Sequence, residues 1–334
     1  MELQLKNIGM IKEANVKIDG LTLIAGENDT GKSTVGKALY LMIKSRNKSF
    51  IKKETEYSLE ELMRIKIRGI MINLFKSSKI FTLDSYISLN DNILKYKKSS
   101  KDYINWQYDG DCSLSDMDII FIETPLVWNF TDFFRDIAQI ESQIDIKLDY
   151  PYLMKDLNFK LRLKNAVDGF DIKKQMTDLM GGEFKKDEMG RYYFDKNGEE
   201  IDLINTATGI KYFGIFQILS QNNYLNENTV LILDEPEVHL HPKWQLEMAK
   251  VIVELVKSGV KIVVNSHSPY MIDALKRYSE VEEIEDKTNF YLAEDGMINK
   301  VEDSNALTLE KIFEKLSEPF DVFDEMDSER LQNG

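Results

Sequence analysis

The stretch from Gly26 to Thr34, GENDTGKST, constrains the fold more than any other part of this sequence. The apolar run LTLIA, typical of a buried strand, precedes it, and VGKALYLMI, a helical pattern, follows it. Glycines permit a tight turn, while N–H groups at a helix start, a lysine and a hydroxyl bind phosphate and Mg²⁺. The pattern G-x-x-x-x-G-K-[ST] in this setting predicts a nucleotide-binding loop. Its contact residues are predicted to be Gly26, Thr30, Gly31, Lys32, Ser33 (also a metal ligand) and Thr34.

The composition indicates a folded protein, since 43% of the 334 residues are hydrophobic and 30% are charged. The single cysteine, Cys112, excludes an internal disulfide and fits a reducing compartment. No apolar run reaches membrane-spanning length, and the N-terminus lacks the features of a signal peptide. We therefore expect a cytoplasmic protein without membrane contact.

The charge is unevenly distributed along the chain. The net charge is −14, yet residues 44–102 carry 14 Lys and Arg against 7 Asp and Glu, a net of +7. Such a segment is either a solvated surface, which is the simpler interpretation, or a contact for nucleic acid.

Short apolar strands alternating with helices predict an α/β P-loop NTPase fold with a mostly parallel sheet covered on both faces. The clearest alternation is the strand 229–233, the helix 242–257, the strand 261–265 and the helix 269–277. An Asn-Gly turn predicts a hairpin over 191–204. We expect one head over 1–300, with an inserted segment 45–118 and a helical lobe 126–200. Residues 301–334 are expected to form a C-terminal helix and a loosely held acidic tail.

Two acidic residues follow the buried strand Val230–Leu233. Open α/β sheets bind ligands at the carboxyl ends of their strands, so Asp234 is predicted to hold Mg²⁺. Glu235 is predicted to be the catalytic residue that polarises the attacking water as a general base.

The box DEPEVHLHP, residues 234–242, resembles that of ABC-type ATPases of the RecF/SMC/OLD-like group, often labelled AAA15 or AAA_21. GENDTGKST resembles the group's G-x-N-x-[ST]-G-K-S-T loop, which adds Asn28 and Asp29 to the nucleotide-binding positions. The segment LQLKNIG resembles the first strand of the group, and NSHSP at 265–269 resembles its switch box. TATGIK at 206–211 occupies the position of its signature motif. The resemblance covers about residues 1–300 and implies an ABC-ATPase head with an N-terminal antiparallel β portion.

The same resemblance implies an ATPase that binds ATP and Mg²⁺ between two subunits of a head-to-tail homodimer. Thr208 and Gly209 would contact the γ-phosphate in trans, and His267, a catalytic residue, would sense it from the subunit that holds Lys32. His239 and His241 would be structural and dimer-facing rather than metal ligands.

The chain departs from the family pattern at two motifs. Ala207 and Ile210 replace polar positions of the signature, so activation in trans could be slow or need a partner. The Q-loop glutamine is absent, and Glu123 or Thr124 would stand in its place, with Glu123 as the candidate metal ligand. No aromatic residue that would stack on adenine is evident near the N-terminus. The expected preference for ATP over GTP therefore rests on the resemblance alone.

The motifs and the lengths of the inserted and C-terminal segments reduce the number of ATPase classes to consider. A transporter motor is disfavoured by the signature and by the E-x-H-L-H-P extension. The inserted segment of about 75 residues shows no heptads that would form coiled-coil arms. After the last hairpin only about 35 residues follow, too few for a Toprim domain.

We therefore expect a stand-alone head that works as an ATP-driven dimeric switch. It would gate a protein effector, for which a nuclease is one candidate, or sense nucleic acid through residues 44–102. The setting would be bacterial anti-phage defence or a toxin-type system. The alternatives are an ATP-clamped scaffold with incidental turnover and a DNA-repair-type ATPase.

Overall fold

The structure is a computed structural model that describes residues 1–48, 57–97, 106–144 and 151–332. Its strands are β1 (Glu2–Ile8), β2 (Ile11–Lys17), β3 (Leu21–Ala25), β4 (Phe81–Leu89), β5 (Asn92–Tyr96), β6 (Trp106–Asp109), β7 (Asp118–Ile122), β8 (Glu183–Lys186), β9 (Tyr192–Lys196), β10 (Glu199–Asp202), β11 (Thr229–Asp234), β12 (Lys261–Ser266), β13 (Thr288–Glu294) and β14 (Met297–Asn299).

The helices alternate with these strands most regularly in the last third of the chain. They are α1 (Lys32–Lys44), α2 (Leu59–Phe75), α3 (Thr131–Ile144), α4 (Tyr152–Arg162), α5 (Lys173–Met180), α6 (Thr208–Gln221), α7 (Pro242–Lys257), α8 (Pro269–Val281) and α9 (Asn305–Gln332). No helix in the described ranges is long and apolar enough to cross a membrane.

The large sheet has the order β6-β5-β4-β1-β2-β14-β13-β3-β12-β11-β7 and is mixed. Within the described residues, five of its ten strand pairings are parallel, and these include the block β13-β3-β12-β11-β7. The α/β P-loop fold is confirmed, but "mostly parallel" describes only that block. The antiparallel β portion is larger than expected because β4 of the inserted segment pairs with β1, and β5 and β6 extend the sheet beyond β4.

Helices cover both faces of the sheet and define two cores. Along β11, Val230 and Ile232 point into a core shared with α1 and α2, while Leu231 and Leu233 point into a core shared with α6, α7 and α8. Burial on both faces explains why the strand is a continuous apolar run. Strand β3 leads into the nucleotide-binding loop, and β11 ends at Asp234. Both strands therefore belong to one sheet that is covered on both faces, with β12 between them.

The hairpin with an Asn-Gly turn is confirmed. Strands β9 and β10 pair antiparallel, and Asn197 and Gly198 between them both have positive φ. Strand β8, which pairs with β9 in the same small sheet, was not anticipated from the sequence.

The acidic tail has a helical backbone, and the expectation that it is loosely held stays a prediction. Helix α9 runs without interruption through Pro319 to Gln332. Its first turns are held by Leu309 and Ile312, which are buried in the core of α6, α7 and α8. Helix formation continues from that anchored part, since propagation costs far less than nucleation.

Candidate active site

Two glycines of the nucleotide-binding loop lie where no side chain fits. A Cβ on Gly26 would lie 2.4 Å from the carbonyl oxygen of Ala293. Gly31 has φ +95°, and a Cβ there would lie 2.6 Å from Cγ1 of Ile11. The loop between β3 and α1 can therefore take this shape only with glycine at both positions.

Lys32 is buried at the centre of the loop. Its ammonium donates hydrogen bonds to the carbonyl oxygens of Gly26 and Glu27 at 2.8 and 2.6 Å. Burial lowers the pKa of this ammonium, although the carboxylates of Glu235 and Asp234 act to raise it. The loop thus holds a desolvated positive charge, which favours a phosphate as its partner.

The start of α1 offers donors for an anion. No hydrogen bond in the described part of the chain uses the N–H groups of Gly31, Lys32 and Ser33, whereas Thr34 N–H donates to Gly31 O at 3.0 Å. Asp29 has φ +62°, and Thr30 Oγ1 donates to Glu27 O at 2.8 Å. Asn28 is exposed at the loop tip. Such N–H groups at a helix start bind phosphate oxygens.

Asp234 is joined to the loop by its carboxylate. Its Oδ1 accepts a hydrogen bond from Ser33 Oγ at 3.1 Å and another from Asn265 Nδ2 at 2.7 Å. The parallel register of β11 and β12 sets Asp234 opposite Asn265. A hydroxyl and a carboxylate this close form an oxygen set that suits Mg²⁺.

Glu235 adopts a left-handed backbone conformation with φ +49°, which is uncommon for glutamate. Its N–H donates to Asn265 O at 2.9 Å. Its Oε1 lies 4.0 Å from Lys32 Nζ and 3.6 Å from His267 Nδ1. The turn after β11 therefore directs this carboxylate toward the loop.

Glu237 was not singled out from the sequence, yet it is the buried carboxylate of the site. Its Oε1 accepts hydrogen bonds from Ser266 Oγ, His267 N–H and Ser268 N–H at 2.7, 2.8 and 3.2 Å. The same oxygen lies 3.5 Å from Nδ1 of His267. One side chain thus fixes the segment between β12 and α8 against the turn that carries Glu235.

Asn265 was likewise missed as a site residue. The signal was present in both cases, because Asn265 and Glu237 belong to the quoted NSHSP and DEPEVHLHP boxes. What the sequence lacked was the strand register that brings these two boxes together.

Glu123 directly follows β7, the strand beside β11. Burial raises the pKa of its carboxyl, Lys37 opposes this shift, and the negative charge of Asp234 adds to it. Its role as a metal ligand stays a prediction.

Thr208 and Gly209 open helix α6, and no described hydrogen bond or ion pair joins them to the loop of the same chain. Thr208 is exposed, and a Cβ on Gly209 would lie 3.2 Å from the Trp244 ring. The structure of one chain thus leaves this helix start facing outward.

The histidines of the DEPEVHLHP box have separate surroundings. His241 Nδ1 accepts from Lys243 N–H at 3.3 Å and so caps α7. Burial lowers the pKa of His239. Among the described residues, no group of three or more His, Cys, Asp or Glu side chains is arranged to hold a metal.

Several cations of the basic segment 44–102 pair with carboxylates in the structure. Lys44 pairs with Asp156, and Lys48 pairs with Asp116, at 2.7 and 2.8 Å. Arg46 pairs with Asp111 at 3.2 Å. Lys98 and Lys101, also part of the predicted nucleic-acid contact, lie outside the described residues.

The phosphate loop, the acidic pair after β11 and the switch segment after β12 converge at one edge of the sheet. This arrangement is that of a P-loop ATPase, and with the motifs in this order it is consistent with the ABC-type RecF/SMC-like group. A family model described as AAA_15, AAA ATPase domain, matches residues 129–272, somewhat less than half of the chain.

Two proteins are similar to this chain in sequence. The chain is 24% identical over 303 residues to the Septu protein PtuA of Bacillus thuringiensis, covering 82% of this chain and 72% of that protein. It is 25% identical over 199 residues to the Retron Vc95 probable ATPase of Vibrio cholerae serotype O1 biovar El Tor. That match covers 57% of this chain and 37% of the relative.

Solved structures with a similar fold include an SMC head bound to the C-winged helix domain of ScpA. It is 13% identical, with a TM-score of 0.49, and the match covers 89% of this chain and 95% of that one. RecF has a TM-score of 0.44 at 13% identity, covering 89% and 96%. At these TM-scores no further conclusion follows.

Proposed function

We propose that this protein binds and hydrolyses ATP with Mg²⁺ at the site formed by the loop and Asp234. The observation that carries the proposal is the contact of Asp234 with both Ser33 and Asn265, beside the buried ammonium of Lys32. A phosphate-binding loop and an acidic strand end that touch in this way fit nucleotide triphosphate chemistry.

Each proposed role follows from position. Lys32 and the free N–H groups at the start of α1 bind the phosphates, and Ser33 and Asp234, with Glu123 nearby, hold the metal. The metal, when bound, neutralises charge that develops on the phosphate oxygens. Glu235 takes a proton from the attacking water, and His267, 3.6 Å from Glu235, senses the γ-phosphate.

The complete site is proposed to need two subunits. The outward-facing start of α6 offers N–H groups and the Thr208 hydroxyl, which a γ-phosphate held by a second copy would meet. ATP would then join two heads, and hydrolysis would release them. Ala207 and Ile210, which replace polar residues of the signature, are expected to make turnover slow.

The biological role that we propose is a cytoplasmic switch in anti-phage defence that gates a protein effector. The names of the two sequence relatives, Septu protein PtuA and Retron Vc95 probable ATPase, support this setting. A nuclease is the effector class that we favour. Contact with nucleic acid through residues 44–102 is the second candidate, supported by the net charge of +7.

The direct test of the chemistry is phosphate release from Mg-ATP by wild type, Asp234→Asn and Glu235→Gln. We expect turnover in wild type, and at least a hundredfold lower turnover in both variants, the order of loss seen when a catalytic group is removed. Glu235→Gln should still bind ATP, whereas Lys32→Ala should not. If Glu235→Gln kept full biological function while Lys32→Ala lost it, the protein would instead be an ATP-clamped scaffold.

A further inference from the structure

Two buried polar atoms beside the nucleotide site have no hydrogen-bond partner in the described part of the chain. They are Oη of Tyr212, in helix α6, and Oε2 of Glu237, in the turn after β11. The two residues are 1% and 5% exposed. Burying a polar group without a partner costs free energy, and the cost is larger for a charged group.

The carboxylate of Glu237 is bonded through one oxygen. Its Oε1 accepts the three hydrogen bonds from Ser266, His267 and Ser268 that hold the switch segment. Its Oε2 is an acceptor that no described donor reaches. A hydroxyl that came within reach would form a charge-assisted hydrogen bond, which is stronger than a bond between neutral groups.

The phenol of Tyr212 is a donor on the element that packs against this turn. A Cβ on Gly209, in the first turn of α6, would lie 3.4 Å from the carbonyl oxygen of His239. Burial raises the pKa of the Tyr212 phenol well above its ordinary value, and the negative charges of Glu237 and Asp234 raise it further. Donor and acceptor thus belong to two elements in contact, without a hydrogen bond between them.

The position of Tyr212 along α6 relates it to the start of that helix. Thr208 is exposed at the first helical position, and Tyr212 lies four residues later, on the same side and one turn deeper. Trp128 Nε1 donates to the carbonyl oxygen of Lys211 at 2.8 Å, which holds this turn through its backbone. One helical turn therefore joins an exposed hydroxyl to the buried phenol.

We propose that Tyr212 is a positioning residue whose hydroxyl bonds to Oε2 of Glu237 when the start of α6 meets the γ-phosphate held by a second copy. This inference rests on the proposed function, because it needs the two-subunit site. A small shift of α6 makes the bond. Glu237 holds the segment that carries His267 and lies in the turn after Glu235, so the bond makes hydrolysis depend on the assembled dimer.

The test compares Tyr212→Phe with wild type by urea unfolding without nucleotide and by phosphate release from Mg-ATP. The substitution removes one oxygen and keeps the ring. Because the hydroxyl has no partner in the single chain, the urea midpoint should equal or exceed that of wild type. The kcat should fall at least about tenfold, while KM for ATP changes less than about twofold, since the bond positions the hydrolytic groups and does not touch nucleotide.

Tyr192→Phe is the matched control. Tyr192 is a buried tyrosine of the same core, and its hydroxyl donates to the carbonyl oxygen of Leu161. The substitution breaks a bond that the single chain makes, so the urea midpoint should fall while kcat stays within about twofold of wild type. The two tyrosines are therefore expected to show opposite patterns.

A second comparison identifies the acceptor. In Glu237→Ala, once its urea transition shows that it folds, Tyr212→Phe should lower kcat by less than about twofold, because the two changes remove the same bond. Losses that multiply would show that the phenol acts on another group, such as Oδ1 of Asn265, which also has no described partner. That result would overturn the proposal.

Two results for Tyr212→Phe alone would also overturn it. The kcat could equal that of wild type, or the urea midpoint could fall as it does in Tyr192→Phe, which would show an ordinary structural bond. Absence of turnover in wild type would instead contradict the proposed function, and this inference would fail with it. The activity of wild type therefore distinguishes the two failures.

Discussion

At the scale of single residues, the site depends on carboxylates that are directed by their neighbours. Asp234 is shared by Ser33 and Asn265, and Glu235 is aimed by a left-handed backbone. Glu237 acts through other residues, because the three hydrogen bonds that it accepts hold the segment that carries His267. We therefore consider Glu237 a positioning residue for Glu235 and His267.

Replacing Glu237 tests this role. Glu237→Ala removes the acceptor of three donors and should lower the free energy of unfolding by about 3 kcal/mol. It should also lower kcat about 10- to 100-fold with little change in KM, since displaced catalytic groups lose transition-state stabilisation. Phosphate release and urea unfolding measure both effects.

Two variants serve as controls for that experiment. Glu237→Gln keeps an acceptor oxygen and should retain most of the stability. Val238→Ala, at the exposed next position, should change neither quantity. An unchanged kcat in folded Glu237→Ala would show that the carboxylate only stabilises the fold.

The loop residues and the pair Asp234-Glu235 could be predicted from the sequence because each motif is local and contiguous. The roles of Asn265 and Glu237 could not, because they depend on contacts across about 30 residues. The hydrogen bonds of Asp234 and Glu237 exist only once β11 and β12 are in register.

At the scale of elements, the interior glycines of α1 and α2 are present for different reasons. Gly36 in α1 lies against the sheet, where a Cβ would be 2.8 Å from Phe121 Cε2 and 3.1 Å from Ile232 Cγ2. Gly69 in α2 faces open space. The first glycine permits close helix–sheet packing, while the second only lowers helix propensity.

Alanine substitutions at these two glycines should therefore have opposite effects. Gly36→Ala should lower the free energy of unfolding by about 1–2 kcal/mol through overpacking. Gly69→Ala should raise it by about 0.5–1 kcal/mol. Urea denaturation of the two variants gives the comparison, and effects of the same sign would contradict the packing described for α1.

A buried ion cluster joins α1, β7 and α4. Asp118 at the start of β7 contacts Lys160 and lies 3.9 Å from Lys44, which pairs with Asp156 at 2.7 Å. Burial acts to raise the pKa of Asp118, but Lys160 and Lys44 lower it more, so that it ends below its ordinary value of 3.8.

This shift predicts how stability depends on pH. Because the folded-state pKa of Asp118 is depressed, its contribution is fully present above the unfolded pKa and is lost as pH falls through the folded value. Asp118→Asn should be less stable than wild type at pH 7, and the difference should shrink below about pH 4. Urea midpoints measured across that range test this, and a constant difference would contradict it.

Among elements, the sequence predicted best those that local pattern determines. The hairpin at Asn197-Gly198 and the helix at 242–257 agree with the structure. The pairing of β4 with β1 could not be predicted from the sequence, because the two strands lie far apart along the chain. The helical course of residues 318–332 was hidden by their acidic composition and by Pro319.

At the scale of the whole molecule, one sheet holds the parts of the nucleotide site in fixed relation. The parallel block carries the loop after β3, the acidic pair after β11 and the switch segment after β12. The start of α6 packs near His239, and Thr208 there is exposed. In the proposed mechanism, this helix start would meet the nucleotide held by a second copy, and an ATP-joined dimer would complete the site.

The measurement that tests this account most directly is the mass of Glu235→Gln and wild type by light scattering, with and without Mg-ATP. It is made at a salt concentration high enough, about 0.5 M, to weaken contacts between exposed charges. We predict that Glu235→Gln doubles its mass with Mg-ATP and that wild type does so only transiently, as it hydrolyses the nucleotide. A mass that does not respond to Mg-ATP in Glu235→Gln, in a protein that still binds ATP, would contradict the dimeric mechanism.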